Sequence, residues 1–110
     1  MNDARVLKVF IGERDRFEGR PLYQALAEKA REVGLAGCTV TRGVLGYGAA
    51  SRIHTATILA LSEDLPLIVE IVDVEEKIQD FLPLVDSMVK EGLVTIEPVK
   101  VLIYRHQRQS

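Results

Sequence analysis

Leu67-Ile68-Val69-Glu70-Ile71-Val72-Asp73-Val74-Glu75-Glu76-Lys77-Ile78-Gln79-Asp80-Phe81-Leu82 decides the fold, because extended chain gives way to helix within it. Leu67 to Val72 reads as strand, dense in β-branched residues. Beyond it Ile78, Phe81, Leu82, Val85, Met88 and Val89 recur at helical spacing and form one buried stripe. Asp73 is placed to cap this helix, and Glu76, three residues on, to reach back to it. Pro83 removes an interior hydrogen bond, which predicts a kink near Gln79 to Pro83 before Gly92 ends the helix.

Toward the N-terminus, Ser62-Glu63-Asp64-Leu65-Pro66 reads as a bend that joins Ile58–Leu61 to Leu67–Val72 in one bent third strand. A flexible, Gly-rich loop over about 46–57 separates it from a second strand, Cys38 to Leu45. Before that strand, Pro21 opens a helix with Leu22, Leu26, Ala30 and Val33 on one stripe and Gly34 as its stop. The first strand, Arg5 to Ile11, carries Leu7, Val9 and Ile11 on one side and Val6 and Phe10 on the other. Toward the C-terminus, Leu93–Ile96 and Val99–Tyr104 form the last strand, with a bulge or edge position at Pro98, and a polar tail follows over about 105–110.

The order strand, helix, strand, strand, helix, strand is that of an α+β, ferredoxin-like βαββαβ sandwich, with both helices on one face of an antiparallel sheet. Residues 1–110 read as a single domain. The strands are apolar on both sides, so the uncovered face predicts a closed oligomer. Lys8, Arg42 and Glu70 interrupt the strands. They sit either at the solvated rim or as a pair joining Glu70 to Lys8 or Arg42.

Composition narrows the function. The 110 residues hold 14 Lys+Arg against 16 Asp+Glu, a net charge of -2 that provides no positive field for nucleic acid. Aromatic content of 5% offers no stacking platform for RNA. A single cysteine, Cys38, excludes an internal disulfide and predicts a reducing, cytoplasmic setting, and no apolar run is long enough to span a bilayer. No Cys/His spacing marks a metal site.

Catalytic groupings are sparse. Cys38 in apolar strand context reads as a packed small residue, because nothing near it in sequence lowers its pKa. Ser51 and His54 share the loop, yet no acid is placed to orient the imidazole, and His106 belongs to the tail. The chain therefore reads as a non-enzyme with no catalytic residue. The loop itself is the chemical feature: Gly43-Val44-Leu45-Gly46-Tyr47-Gly48-Ala49-Ala50-Ser51-Arg52-Ile53-His54-Thr55 joins permissive backbone to a hydroxyl, a guanidinium and an imidazole. By composition alone it suits either a hairpin whose glycines serve geometry or a site for an anion.

Three motifs carry a family resemblance: Ile11-Gly12-Glu13-Arg14-Asp15-Arg16-Phe17-Glu18-Gly19-Arg20-Pro21-Leu22-Tyr23, the run from Gly46-Tyr47-Gly48 to Ser51-Arg52-Ile53-His54-Thr55, and Leu61-Ser62-Glu63-Asp64-Leu65-Pro66. From about Arg5 to Arg105 the chain resembles the bacterial DUF190 family, distant relatives of the PII nitrogen-regulatory signal-transduction proteins. Val33-Gly34-Leu35-Ala36-Gly37-Cys38-Thr39-Val40-Thr41, followed by Gly46-Tyr47-Gly48, is similar to the PII second strand and the root of its T-loop.

The resemblance implies a homotrimer that holds adenine nucleotide as a regulatory ligand in clefts between subunits. In that transfer Thr39 faces the base, and Gly46 and Gly48 bring amides to the phosphates. Ser51, Arg52 and His54 complete the candidate ligand-binding set on their charge and placement. The implied partner is a membrane transporter or a metabolic enzyme, signalled through the Gly-rich loop. Two departures are visible. Ala50 stands where PII proteins carry a glutamine that helps hold magnesium nucleotide, and Glu91-Gly92-Leu93-Val94-Thr95-Ile96-Glu97 replaces their Lys-containing phosphate loop. A ligand-free trimeric scaffold, resembling CutA in assembly, is the alternative.

Overall fold

The computed structural model describes residues 1–48 and 64–106. Along the chain these form β1 (Ala4–Gly12), β2 (Arg16–Phe17), β3 (Arg20–Pro21), α1 (Leu22–Glu32), β4 (Gly37–Arg42), β5 (Pro66–Val74), α2 (Glu75–Met88) and β6 (Leu93–Val99). Alternation governs the main sheet. In β1 the side chains of Leu7, Val9 and Ile11 are buried, while Val6, Lys8 and Phe10 on the other face are half-buried. In β5 Leu67, Val69 and Ile71 are buried, while Ile68, Glu70 and Val72 are not fully covered.

All neighbouring strands are antiparallel, in the order β4-β5-β1-β6. Leu22, Ala25, Leu26 and Ala30 of α1 and Ile78, Phe81, Val85 and Met88 of α2 pack with the buried side of β1 and β5 into one core. Both helices thus cover one face, and the ferredoxin-like α+β arrangement expected from the sequence is present. Among the described residues, no helix is long and apolar enough to cross a membrane.

Several local expectations are corrected. The polar stretch after β1 folds into the two-stranded β2–β3 hairpin, whose turn residues Glu18 and Gly19 have φ of 49° and 79°. A two-residue turn of that handedness suits the twist of paired strands. The last strand runs unbroken through Pro98 and stops at Val99, so Leu102 and Tyr104 lie outside it. As an edge strand, β6 tolerates a residue that has no N–H to donate. The second strand stops at Arg42, and α2 is helical through Pro83 but ends at Met88, before Gly92. The proposed strand at 58–61 and most of the Gly-rich loop lie outside the described residues.

Asp73 does not cap α2. Val74 occupies the N-cap position without a side-chain bond, and Asp73 is instead 3% exposed, accepting from Ala36 N at 2.9 Å and Val74 N at 2.6 Å. It ties the turn before β4 to the end of β5. Asp73→Ala leaves a half-buried Ala36 N–H without its acceptor, an expected loss of about 1–3 kcal/mol. The unfolding midpoint in urea should fall accordingly, and an unchanged midpoint would contradict this role.

Of the charged strand residues, Arg42 stands at the exposed rim, at the end of edge strand β4. Arg42 pairs with Glu13 and lies opposite Leu67, on the helix-facing side. Lys8 and Glu70 are cross-strand neighbours on the uncovered face, yet Lys8 Nζ bonds Glu97 Oε1 at 3.0 Å. The Glu97 carboxylate, by hydrogen bond first and then by charge, holds the Lys8 ammonium above its ordinary pKa, and the charge of Glu70 adds to this.

Candidate functional site

Register places the uncovered face in rows. Thr41, Ile68, Phe10 and Leu93 form one cross-strand row, and Thr39, Glu70, Lys8 and Thr95 form the next. Three residues of the first row, Ile68, Phe10 and Leu93, floor a pocket of about 270 Å³. Its walls are Leu45, Gly46, Tyr47 and Gly48 from the root of the Gly-rich connection, and Pro66 and Asp64 from the returning chain.

Glycine is required where this root meets the returning strand. Gly43 N donates to Pro66 O at 2.7 Å, and a Cβ on Gly43 would come within 2.8 Å of Pro66 Cγ. The two ends of the connection are thereby held side by side at the rim. Glu13 N donates to Leu65 O at 2.9 Å and Arg14 N to Asp64 Oδ1 at 3.0 Å, which bind the returning chain to the turn after β1. Gly12 closes this junction, since a Cβ there would meet Asp64 Oδ1 at 2.9 Å.

Of the sequence-predicted ligand residues, Gly46 and Gly48 line this pocket. Thr39 lies on the same face, in the row beside the floor, and does not line it. Ser51, Arg52 and His54 lie outside the described residues. His106 is exposed in the tail. Cys38 is not packed but exposed on edge strand β4, and local desolvation of its thiol raises its pKa, which disfavours the nucleophilic thiolate. Among the described residues, no group of three or more His, Cys, Asp or Glu side chains is arranged to hold a metal.

Sequence reasoning missed Phe10, Ile68, Leu93 and Asp64 as site residues. The alternation of β1 already put Phe10 on the uncovered side, and Asp64 stood within the Leu61–Pro66 motif. Their convergence depends on the antiparallel pairing of β1 with β5 and β6, which no local pattern specifies. Asp64 supplies the one ionisable carboxylate of the described lining, and Tyr47 the one phenol. Chemically the pocket offers a flat apolar floor, glycine backbone on one wall and a hydrogen-bond-accepting anion on another.

Comparison with known proteins finds relatives that match most of the chain. A UPF0166 protein of Aquifex aeolicus is 42% identical over 98 residues, spanning 89% of this chain and 92% of that protein. A UPF0166 protein of Methanocaldococcus jannaschii is 37% identical over 97 residues, spanning 87% and 89%. A further Aquifex aeolicus UPF0166 protein is 36% identical over 73 residues, spanning 66% and 76%. The DUF190 family model, described as "Uncharacterized ACR", matches residues 4–101, from the first strand of the sheet past the last. On that match the chain belongs to the DUF190 family.

Proposed function

We propose that this protein is a non-catalytic regulatory sensor: a trimer that binds adenine nucleotide between its subunits and signals through the Gly-rich connection to a partner protein. A membrane transporter or a metabolic enzyme is the class of partner the PII likeness favours. The observation that carries this reading is the position of the pocket, where the uncovered apolar face meets the root of that connection. A second copy covering this face would wall the pocket from outside, so assembly and ligand binding would share one surface.

Charge orients the ligand. A base lies on Phe10, Ile68 and Leu93, and its phosphates lie at the root of the connection by Gly46 rather than against the Asp64 carboxylate. Ordering of the connection by the bound anion is the signalling step. Titration calorimetry with ATP, ADP, AMP and cyclic AMP should give heat for at least one of them. Arg52→Ala should weaken that binding about tenfold or more through loss of a charge-assisted contact. Absence of heat across the panel overturns the reading and favours the ligand-free scaffold, with which the mostly apolar lining is also compatible.

A further inference from the structure

We infer that Asp64 is a specificity-determining residue that accepts hydrogen bonds from the ribose hydroxyls of the ligand, so that the site selects ribonucleotides. The inference rests on the nucleotide reading above and adds which end of the molecule meets which wall. The Asp64 carboxylate is held in place: Oδ1 accepts from Arg14 N at 3.0 Å, and the α-carbon of Gly12 lies so close that a Cβ there would sit 2.9 Å from Oδ1 and 3.0 Å from Oδ2. An ionised carboxylate offers about four acceptor sites. The bond to Arg14 uses one, which leaves Oδ2 and the remaining capacity of Oδ1 for a ligand.

Which group meets it follows from charge and shape. A phosphate at this wall would face a like charge, whereas a hydroxyl pair gains charge-assisted hydrogen bonds. Two hydroxyls on adjacent carbons match the two oxygens of one carboxylate. The flat base is accommodated by the apolar floor of Phe10, Ile68 and Leu93. Sugar at Asp64 and base on the floor is the arrangement that keeps phosphate off the carboxylate.

The test is calorimetry of ATP and AMP, each with its 2′-deoxy and 2′,3′-dideoxy counterpart, on the wild-type protein, Asp64→Asn and Asp64→Ala. Loss of both hydroxyls should weaken binding to the wild type about ten- to a hundredfold, and both variants should weaken ATP or AMP similarly. The two losses should not add: the variants should bind the dideoxy compounds as the wild type does. Thermal melts of the variants, close to that of the wild type, exclude unfolding as the cause. Equal affinity of wild type and variants for the ribonucleotides, or losses that add, overturns the role of Asp64 and leaves the nucleotide site standing. Wild-type protein that binds none of the six compounds overturns this inference, and if ADP and cyclic AMP also give no heat the nucleotide reading falls with it.

Discussion

On the proposed assembly, wild-type protein is expected to sediment at equilibrium with a mass near three times 12.2 kDa, and Phe10→Asp as a folded monomer. The reasoning begins with alternation in β1. Phe10 is on the uncovered face, and its neighbours Val9 and Ile11 are 0% and 4% exposed in the helix-covered core, so the change leaves that core intact. On the uncovered face Phe10 sits between Ile68 and Leu93. A carboxylate forced into an apolar contact between copies costs several kcal/mol per ion, and the symmetry of a trimer repeats the cost at each subunit. The affinity of assembly should therefore fall by orders of magnitude, while far-ultraviolet circular dichroism stays native. Because Phe10 also floors the pocket, nucleotide binding should be lost with it. Val6→Asp separates the two effects, since Val6 shares the face but lies outside the pocket lining. It should break the trimer without removing a pocket wall. Wild-type protein that sediments as a monomer at micromolar concentration would refute the assembly.

How much of this was legible depended on the range of the interaction. The alternation of Leu7, Val9 and Ile11 and the helical stripe of Ile78, Phe81 and Val85 are local patterns, and they gave the core and the fold class directly. Gly46 and Gly48, which line the pocket, were singled out by the PII resemblance rather than by a local pattern. Asp73 was misread as a helix cap because its partner, Ala36, comes from the turn before β4 and is brought near only by the pairing of β4 with β5. Cys38 was misread because an apolar strand at the edge of a sheet has the same local composition as one at its centre. The β2–β3 hairpin was missed because two-residue strands carry no period. Asp64 lay within a motif, yet its position is defined by Gly12 and Arg14 on another strand's turn.

Gly92 shows the same limit and yields the second large effect. In sequence it is a helix stop, but α2 has already ended at Met88, so the glycine answers to something else. A Cβ at Gly92 would lie 2.7 Å from the backbone oxygen of Phe10, 3.2 Å from Val89 Cγ1 and 3.3 Å from Ile11 Cγ2. The nearest of these atoms belongs to the central strand β1, which has no freedom to move aside. Gly92→Ala must therefore displace the start of β6, and an expected loss of about 3 kcal/mol follows from overpacking. That is a large part of the roughly 5–15 kcal/mol by which a domain of this kind is stable. Leu93, the next residue, floors the pocket beside Phe10, so displacement of β6 should also weaken nucleotide binding in protein that remains folded. Gly37→Ala is the matched control: it opens the other edge strand, β4, but a Cβ there meets nothing within 4 Å. Chemical denaturation of the two variants should show a much lower midpoint for Gly92→Ala and none of that loss for Gly37→Ala. Equal midpoints would mean that β6 can shift at no cost, and the floor of the pocket would then not depend on the contact between Gly92 and Phe10.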